Sequence, residues 1–222
     1  MSPAIHKHEG FIDKYIGDAI MALFPTNVDN AVQAAITMLT GLNEYNQGRK
    51  RAGYRLIRIG IGLNTGELML GTVGDQHRMD GTVISDAVNL ASRIEGLTKY
   101  YGAPLIIGET TLAGISDPGQ YHYRFLDKIQ VKGKQQGIAI YEVFDPDPEE
   151  LFESKVTTQK DFEEGQRLYF AKDFAEAAKL FKHVLATIPN DTTSQLYLKR
   201  SAQLMVEGVP EGWDGVRKMD KK

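Results

Sequence analysis

The spacing of apolar residues in the first part of the chain predicts several short strands. Residues 11–24 form two apolar runs separated by Gly17-Asp18, which is typical of a β-hairpin with those residues in the turn. Apolar residues alternate with arginine and glycine through 57–63, the period of a strand with one buried face. Further strands are predicted at 67–70 and 104–108, and a closing hairpin at 129–143.

Two segments have the spacing of helices instead. In 30–46 and in 86–101 the apolar residues recur every three or four positions, which predicts helices that each bury one face. Ser85 is placed to cap the second helix, and Asn89 and Arg93 fall opposite its apolar stripe. Strands and helices in this order predict an α+β domain.

The chain changes character after this domain. Two prolines among four carboxylates in 145–150 predict a linker, and we divide the chain into a domain at 1–145, a linker at 146–158 and a helical tail at 159–222. The tail resembles a single tetratricopeptide repeat at Gly165, Leu168, Ala177, Phe181 and Pro189. One repeat cannot bury its own face, so we expect it to pack on the domain or on a protein partner.

Composition and charge exclude several classes of protein. The 222 residues carry a net charge of −3 with mixed signs, which argues against nucleic acid as a main partner. No apolar run approaches the roughly 20 residues that span a bilayer. The chain has no cysteine, which excludes disulfides and thiol chemistry. These features favour a cytoplasmic protein, although a longer parent protein could attach to a membrane through an upstream region.

Three motifs resemble the class III adenylate and guanylate cyclases. They are 14–18 (KYIGD), 60–67 (GIGLNTGE) and 78–93 (RMDGTVISDAVNLASR), and the likeness extends over roughly 4–144. It implies a ferredoxin-like domain that works as a head-to-tail homodimer. ATP or GTP would lie in the cleft between two domains, with two Mg²⁺ ions, or Mn²⁺, on its phosphates.

The first and third motifs supply the metal and base contacts that the resemblance implies. Asp18 resembles the second of the family's two metal carboxylates, and hard oxygen ligands suit Mg²⁺. Lys14 and Thr82 match the pair that reads adenine, where guanylate cyclases typically carry glutamate and cysteine. The alternatives are an ordinary turn residue for Asp18 and solvated strand residues for the other two.

The resemblance also implies catalytic groups. Asn89 would orient the ribose, and Arg93, four residues later on the same side of the helix, would stabilise the charge on the α-phosphate. Lys132 matches the lysine that binds the departing phosphates, whereas Lys134 fits a solvated position. The alternative for Asn89 and Arg93 is a polar outer helix face.

The sequence departs from the family in two respects. The family's first strand, which bears the first metal aspartate, and its next two helices have no counterpart here, so we expect the chain to be poorly active alone. Ser85 replaces a usual glycine, and Gly81 stands where an aromatic residue is common.

Two functions remain open at this point. The first is an adenylate cyclase that converts ATP to 3′,5′-cyclic AMP and pyrophosphate in signal transduction, with guanylate cyclase as its variant. The second is a noncatalytic, cyclase-like dimerisation or regulatory module.

Overall fold

Strands and helices alternate through the first part of the structure, and helices dominate the remainder. The computed structural model describes residues 1–75, 78–131 and 137–219. In chain order the elements are α1 (Ser2–Lys7), β1 (Phe11–Ile16), β2 (Ala19–Leu23), α2 (Val28–Arg51), β3 (Ile61–Leu63), β4 (Met69–Asp75), β5 (Arg78–Ile84), α3 (Asp86–Tyr101), β6 (Leu105–Gly108), α4 (Glu109–Gly114), β7 (Tyr123–Val131), β8 (Ile138–Val143), α5 (Glu149–Phe170), α6 (Phe174–Thr187), α7 (Thr192–Glu207) and β9 (Arg217–Met219). Among these described helices, none is both long and apolar enough to span a bilayer.

A five-stranded mixed sheet organises the chain in the order β3-β6-β8-β7-β9. Strands β3 and β6 are parallel, β8 is antiparallel to both β6 and β7, and β9 joins β7 in parallel. The pairs β1-β2 and β4-β5 form separate antiparallel hairpins. The mixed fold confirms the α+β prediction, and β1-β2 confirms the hairpin with its turn at Gly17-Asp18.

Strand β6 has a helix on each face. Because successive side chains of a strand point to opposite sides, Leu105 and Ile107 pack with α2 while Ile106 packs with α3. All four residues of β6 are buried, which is the pattern of a strand covered on both faces. Helix α3 is therefore held against the sheet by its apolar stripe, at Leu90, Ile94 and Leu97.

The ends of α3 follow directly from the sequence. The hydroxyl of Ser85 accepts a hydrogen bond from the backbone N–H of Ala87, and the helix ends at Gly102 in the left-handed conformation, with φ of 68°. A side-chain N-cap and a glycine after the last turn are the ordinary helix boundaries. The prediction of a helix over 86–101 capped by Ser85 is confirmed.

Two of the predicted boundaries differ from the structure for local reasons. Strand β3 covers only the end of the predicted 57–63, because the side chain of Asn46 bonds both the N–H and the carbonyl of Ile57 in place of a neighbouring strand. Helix α5 begins at Glu149, inside the segment predicted as a linker. Pro148 and the carboxylates that follow it favour a helix N-terminus as well as a linker.

Helices α5, α6 and α7 form a second core of mostly aromatic side chains. Phe162, Tyr169, Phe181 and Tyr197 are buried there, and Tyr197 stacks on Phe181 with ring centroids 5.0 Å apart. Trp213 packs edge-on against Tyr169 at 5.6 Å. The helical character of the tail is confirmed, whereas its resemblance to a tetratricopeptide repeat stays a prediction.

A buried ionic network joins this helical tail to the sheet. Arg124 on β7 bonds Glu142 on β8 and Asp191 before α7, each at 2.6 Å, with only 4% of its side chain exposed. Lys155 of α5 bonds Glu142 at 2.7 Å and Asp147 at 2.6 Å. Each buried charge thus has an opposite charge within hydrogen-bonding distance, which is the condition for burying it.

Replacing Arg124 by methionine should strongly destabilise the protein. The substitution keeps the side-chain length but leaves Glu142 and Asp191 buried without their main counter-charge, which costs about 3–5 kcal/mol in such pairs. Urea denaturation measures the change in the free energy of unfolding. The matched control is Arg167→Met, because Arg167 is an exposed arginine paired with Glu164 and should change nothing measurable. Equal effects of the two substitutions would contradict this account.

The network should contribute less to the free energy of unfolding as the pH falls. Burial alone raises the pKa of Asp191 and Glu142, but the attractions of Arg124 and Lys155 together outweigh it, helped at Asp191 by a hydrogen bond from Ser194, so both pKa values lie below the ordinary 3.8 and 4.5. Below those values the unfolded chain takes up protons that the folded protein resists, and this stabilisation is lost as pH falls. Burial raises the pKa of Asp147, so its contribution to the pH dependence of stability has the opposite sign.

The stability gap between wild type and Arg124→Met is therefore expected to be largest near neutral pH. It should narrow below about pH 4, where the carboxyls of the unfolded chain become protonated. Urea denaturation of both proteins from pH 3 to pH 7 gives the two curves. A gap that stays constant across this range would show that these carboxyls do not carry the interaction.

Candidate active site

The turn of the β1-β2 hairpin presents Asp18 to solvent. Gly17 has φ of 63°, a left-handed conformation that glycine adopts without strain, and it brings the chain round between the strands. Asp18 is exposed, and no hydrogen bond or ion pair from another described residue engages its carboxylate. Among all the residues that the structure describes, no group of three or more histidine or acidic side chains is placed to hold a metal ion. Asp18 is thus a single available oxygen ligand.

Lys14 lies beside a carboxylate that the sequence analysis missed. A bulge in β1 inserts Asp13 between the residues paired with Ala22 and Met21, and the Lys14 Nζ lies 3.3 Å from Asp13 Oδ2. Neighbouring side chains in a regular strand point to opposite faces, so the bulge permits this pair. Oδ2 of Asp13 is buried and accepts no hydrogen bond from a described residue. The sequence signal for Asp13 was a carboxylate inside a predicted apolar strand.

Asn89 and Arg93 lie together on the outer side of α3. Both are exposed, whereas Leu90, Ile94 and Leu97 face the sheet. The helix can lie this close because β3 carries glycine where it passes beneath: a Cβ at Gly62 would overlap the backbone of α3. The structure therefore brings these two predicted residues together on a helix fixed against the sheet.

Asn64 fixes the first turn of α3, a role that sequence reasoning did not assign. Its side-chain N–H donates to the carbonyl of Ala87 at 3.3 Å, and its Oδ1 accepts from the hydroxyl of Thr110 at 3.1 Å. Asn64 thus joins the end of β3 to α3 and α4. The only sequence signal was its place in the 60–67 motif.

The remaining predicted residues stay predictions. The backbone of Thr82 lies in β5 opposite Gly71, but its side chain is outside the described part of the structure. Lys132 lies outside the described residues altogether. The described site residues thus form two groups: Lys14 with Asp18 on the hairpin, and Asn89 with Arg93 on α3.

Residues 5–143 match the model of the adenylate and guanylate cyclase catalytic domain. The chain therefore belongs to this family. The match covers both hairpins, the sheet as far as β8 and helix α3, so it includes all six predicted site residues.

Similar proteins agree with this assignment. The chain is 50% identical over 149 residues to an adenylate cyclase of Anabaena cylindrica, covering 64% of this chain and 30% of that protein. It is 37% identical to the terminal-differentiation specific adenylate cyclase of Dictyostelium discoideum, over 90% of this chain and 10% of that protein. A solved bacterial light-regulated adenylyl cyclase is 27% identical, with a TM-score of 0.56 over 65% of this chain and 72% of that one. The chain thus spans a minor part of these curated relatives.

Adding a methyl group at Gly62 should push α3 off the sheet. The alanine Cβ would meet the backbone of α3, and such overpacking costs about 1–3 kcal/mol. Urea denaturation of Gly62→Ala tests this. Gly41→Ala in α2 is the matched control, since nothing lies within 4 Å of its added Cβ and it should stabilise the helix by about 0.5–1 kcal/mol. A Gly62→Ala variant as stable as the wild type would contradict the close packing of α3 on β3.

Proposed function

We propose that this chain is the catalytic region of an adenylate cyclase that converts ATP to 3′,5′-cyclic AMP and pyrophosphate. The observation that carries the proposal is the exposed pair Asn89 and Arg93 on a helix capped at both ends and packed on the sheet. Preorganised donors of this kind stabilise charge that develops in a transition state. Membership of the cyclase family supports the same activity.

The reaction joins two parts of one nucleotide. The ribose 3′-oxygen attacks the α-phosphorus and releases its proton to solvent, and the bond from the α-phosphorus to the oxygen that bridges to the β-phosphate breaks, so that pyrophosphate leaves with that oxygen. Arg93 would stabilise the negative charge that collects on the α-phosphate oxygens, because a guanidinium donates two parallel hydrogen bonds. Asn89, one helical turn earlier, would hold the ribose so that its 3′-oxygen is in line.

Asp18 is the residue that would hold the metal. Its carboxylate is exposed, is a hard ligand and is not engaged by any other described residue, so it fits Mg²⁺ or Mn²⁺. When bound, the ion would neutralise phosphate charge. The resemblance implies that the family's other metal carboxylate, which has no counterpart in this sequence, shares the site, together with two ions. Nucleotide phosphates and water would complete the coordination, as is usual for Mg²⁺.

Lys14, Thr82 and Lys132 would bind the substrate. An amine donor at Lys14 suits the ring acceptors of adenine, with Thr82 as the second base contact. Lys132 would bind the departing phosphates. The neighbouring Asp13 supports the role of Lys14, because its Oδ2 lies 3.3 Å from the Lys14 amine and can hold that side chain in place on the hairpin. These two contacts with the purine base favour ATP over GTP.

A second copy of the chain would complete the site. The hairpin that carries Asp18 also exposes Tyr15 and Ile16, by 64% and 58%, and Met69 at the start of β4 is 74% exposed. Exposed apolar side chains beside a functional group favour burial by a partner. A head-to-tail homodimer would cover them and bring the hairpin of one copy to α3 of the other.

The direct test is cyclic AMP formation from ATP, with GTP in parallel and with Mg²⁺ or Mn²⁺. Two proteins are compared: this chain, and the same chain extended by the upstream segment of the Anabaena relative. The extended chain should cyclise ATP in preference to GTP. Arg93→Ala should lower its kcat by about 10²–10³-fold, the cost of losing one transition-state donor. Asp18→Asn should abolish the metal-dependent activity.

Arg167→Ala is the control, because it removes an exposed arginine from the tail and should leave turnover unchanged. Nucleotide binding or dimerisation without turnover of either substrate would contradict the proposed enzymatic activity. The noncatalytic module would then replace it. A preference for GTP would retain the cyclase and reverse the assignment of the base.

A further inference from the structure

The C-terminal end of α3 is held by the helical tail. The hydroxyl of Thr193, in the first turn of α7, donates to the backbone carbonyl of Tyr101 at 3.1 Å, and Thr193 is fully buried. The backbone turns away from α3 at Gly102, and a Cβ there would collide with Thr192. A carbonyl in the last turn of a helix has no partner within the helix. Helix α7 supplies that partner.

A second connection runs through a buried carboxylate. Asp127 follows a bulge in β7 and is fully buried; its Oδ2 accepts from the Tyr101 hydroxyl at 2.8 Å and from Arg200 of α7 at 2.7 Å. Burial and the nearby Asp127 raise the pKa of Tyr101, which keeps the hydroxyl protonated and able to donate. Helices α3 and α7 thus share one buried acceptor.

The bulge gives the tail further points of attachment. It interrupts the pairing of β7 with β8 between Phe125 and Asp127. Side chains of the tail bond carbonyls there: Gln166 donates to Phe125 at 2.9 Å and Tyr197 donates to Leu126 at 2.9 Å. Buried carbonyls require such partners. The tail is therefore fastened to the same strand that bears Asp127.

These contacts bear on the predicted catalytic pair through the helix itself. Tyr101 lies eight residues after Arg93 on one continuous α-helix, about 12 Å along its axis at 1.5 Å per residue. Ser85 and Asn64 fix the other end of α3. A shift at Tyr101 would move Arg93 with it, since a packed helix moves as a rigid element.

We propose that α7 is a positioning element of the active site: Thr193 and Arg200 fix Tyr101, and thereby set the position of Asn89 and Arg93 relative to the substrate. This inference rests on the proposed cyclase activity. Helix α7 lies beyond the family match at 5–143, so the matched domain would depend on a segment outside it. The Dictyostelium relative, matched over 90% of this chain, is similar over the tail as well.

The test compares two buried threonines of the tail. Thr193→Val removes the hydroxyl that reaches α3, whereas Thr158→Val removes one that bonds only within its own helix, to the carbonyls of Ser154 and Lys155. Both replacements keep the side-chain shape. Kinetics are measured in whichever of the two chains described above turns ATP over faster, and hydrogen exchange of 86–101 in the 222-residue chain.

Thr193→Val should lower kcat by about tenfold, the scale of a small misplacement of catalytic groups, with KM for ATP within about twofold. Tyr101→Phe should act in the same direction through the loss of its bond to Asp127. Thr193→Ser keeps a hydroxyl and should restore kcat. Exchange in α3 should rise in Thr193→Val and Tyr101→Phe, and stay at the wild-type level in Thr158→Val and Thr193→Ser.

Three outcomes would overturn the inference: unchanged kcat in Thr193→Val, an equal loss in Thr158→Val, or unchanged exchange in α3. If the wild type makes no cyclic nucleotide under any condition, the proposed function fails on that result alone. Exchange in α3 then decides by itself whether α7 positions the helix.

Discussion

The bond between Arg124 and Asp191 sets the geometry on which the rest of the structure depends. Arg124 lies on β7, and Asp191 is the N-cap residue of α7. The carboxylate of Asp191 also accepts a hydrogen bond from the backbone N–H of Ser194. One guanidinium therefore fixes both the place and the start of a helix. Because both groups are buried, neither can leave the other without exposing an unpaired charge to a low-dielectric interior. The tail is thus part of the same folded unit as the sheet.

The consequences of this bond reach α3 through short steps. Thr193 follows Asp191 by two residues, so fixing the N-cap also fixes the hydroxyl that bonds Tyr101. Tyr101 ends the helix that carries Asn89 and Arg93. The same α3 buries its apolar stripe against β6 and β7, whose side chains form the core beneath it. Packing thus holds the helix on the sheet, and the polar contacts of the tail fix its end.

The sequence predicted what depends on local pattern and missed what depends on distant partners. Helix 86–101, its cap at Ser85 and the turn at Gly17-Asp18 follow from period and turn chemistry, and all three are confirmed. The pairing of Arg124 with Asp191 joins residues 67 positions apart, which no local period reveals. Strand β9 was missed because three residues give too short a pattern to read. Asp13 was missed because only the bulge places it beside Lys14.

The predicted site falls on two elements that pack against different parts of the chain. The hairpin with Lys14 and Asp18 forms its own two-stranded sheet, whereas α3 with Asn89 and Arg93 lies on the five-stranded sheet. Our central claim is that two copies of the chain bring these elements together around one nucleotide. A noncatalytic module would need neither the metal ligand proposed at Asp18 nor the charge stabilisation proposed for Arg93.

Mixing two impaired variants of the extended chain, Asp18→Asn and Arg93→Ala, tests this claim most directly. In a mixed dimer one site contains both defects and the other contains none, so cyclic AMP formation should return to a substantial fraction of the wild-type rate. No recovery, although mixed dimers form, would show that Asp18 and Arg93 of the same copy serve one site, and would contradict the shared arrangement.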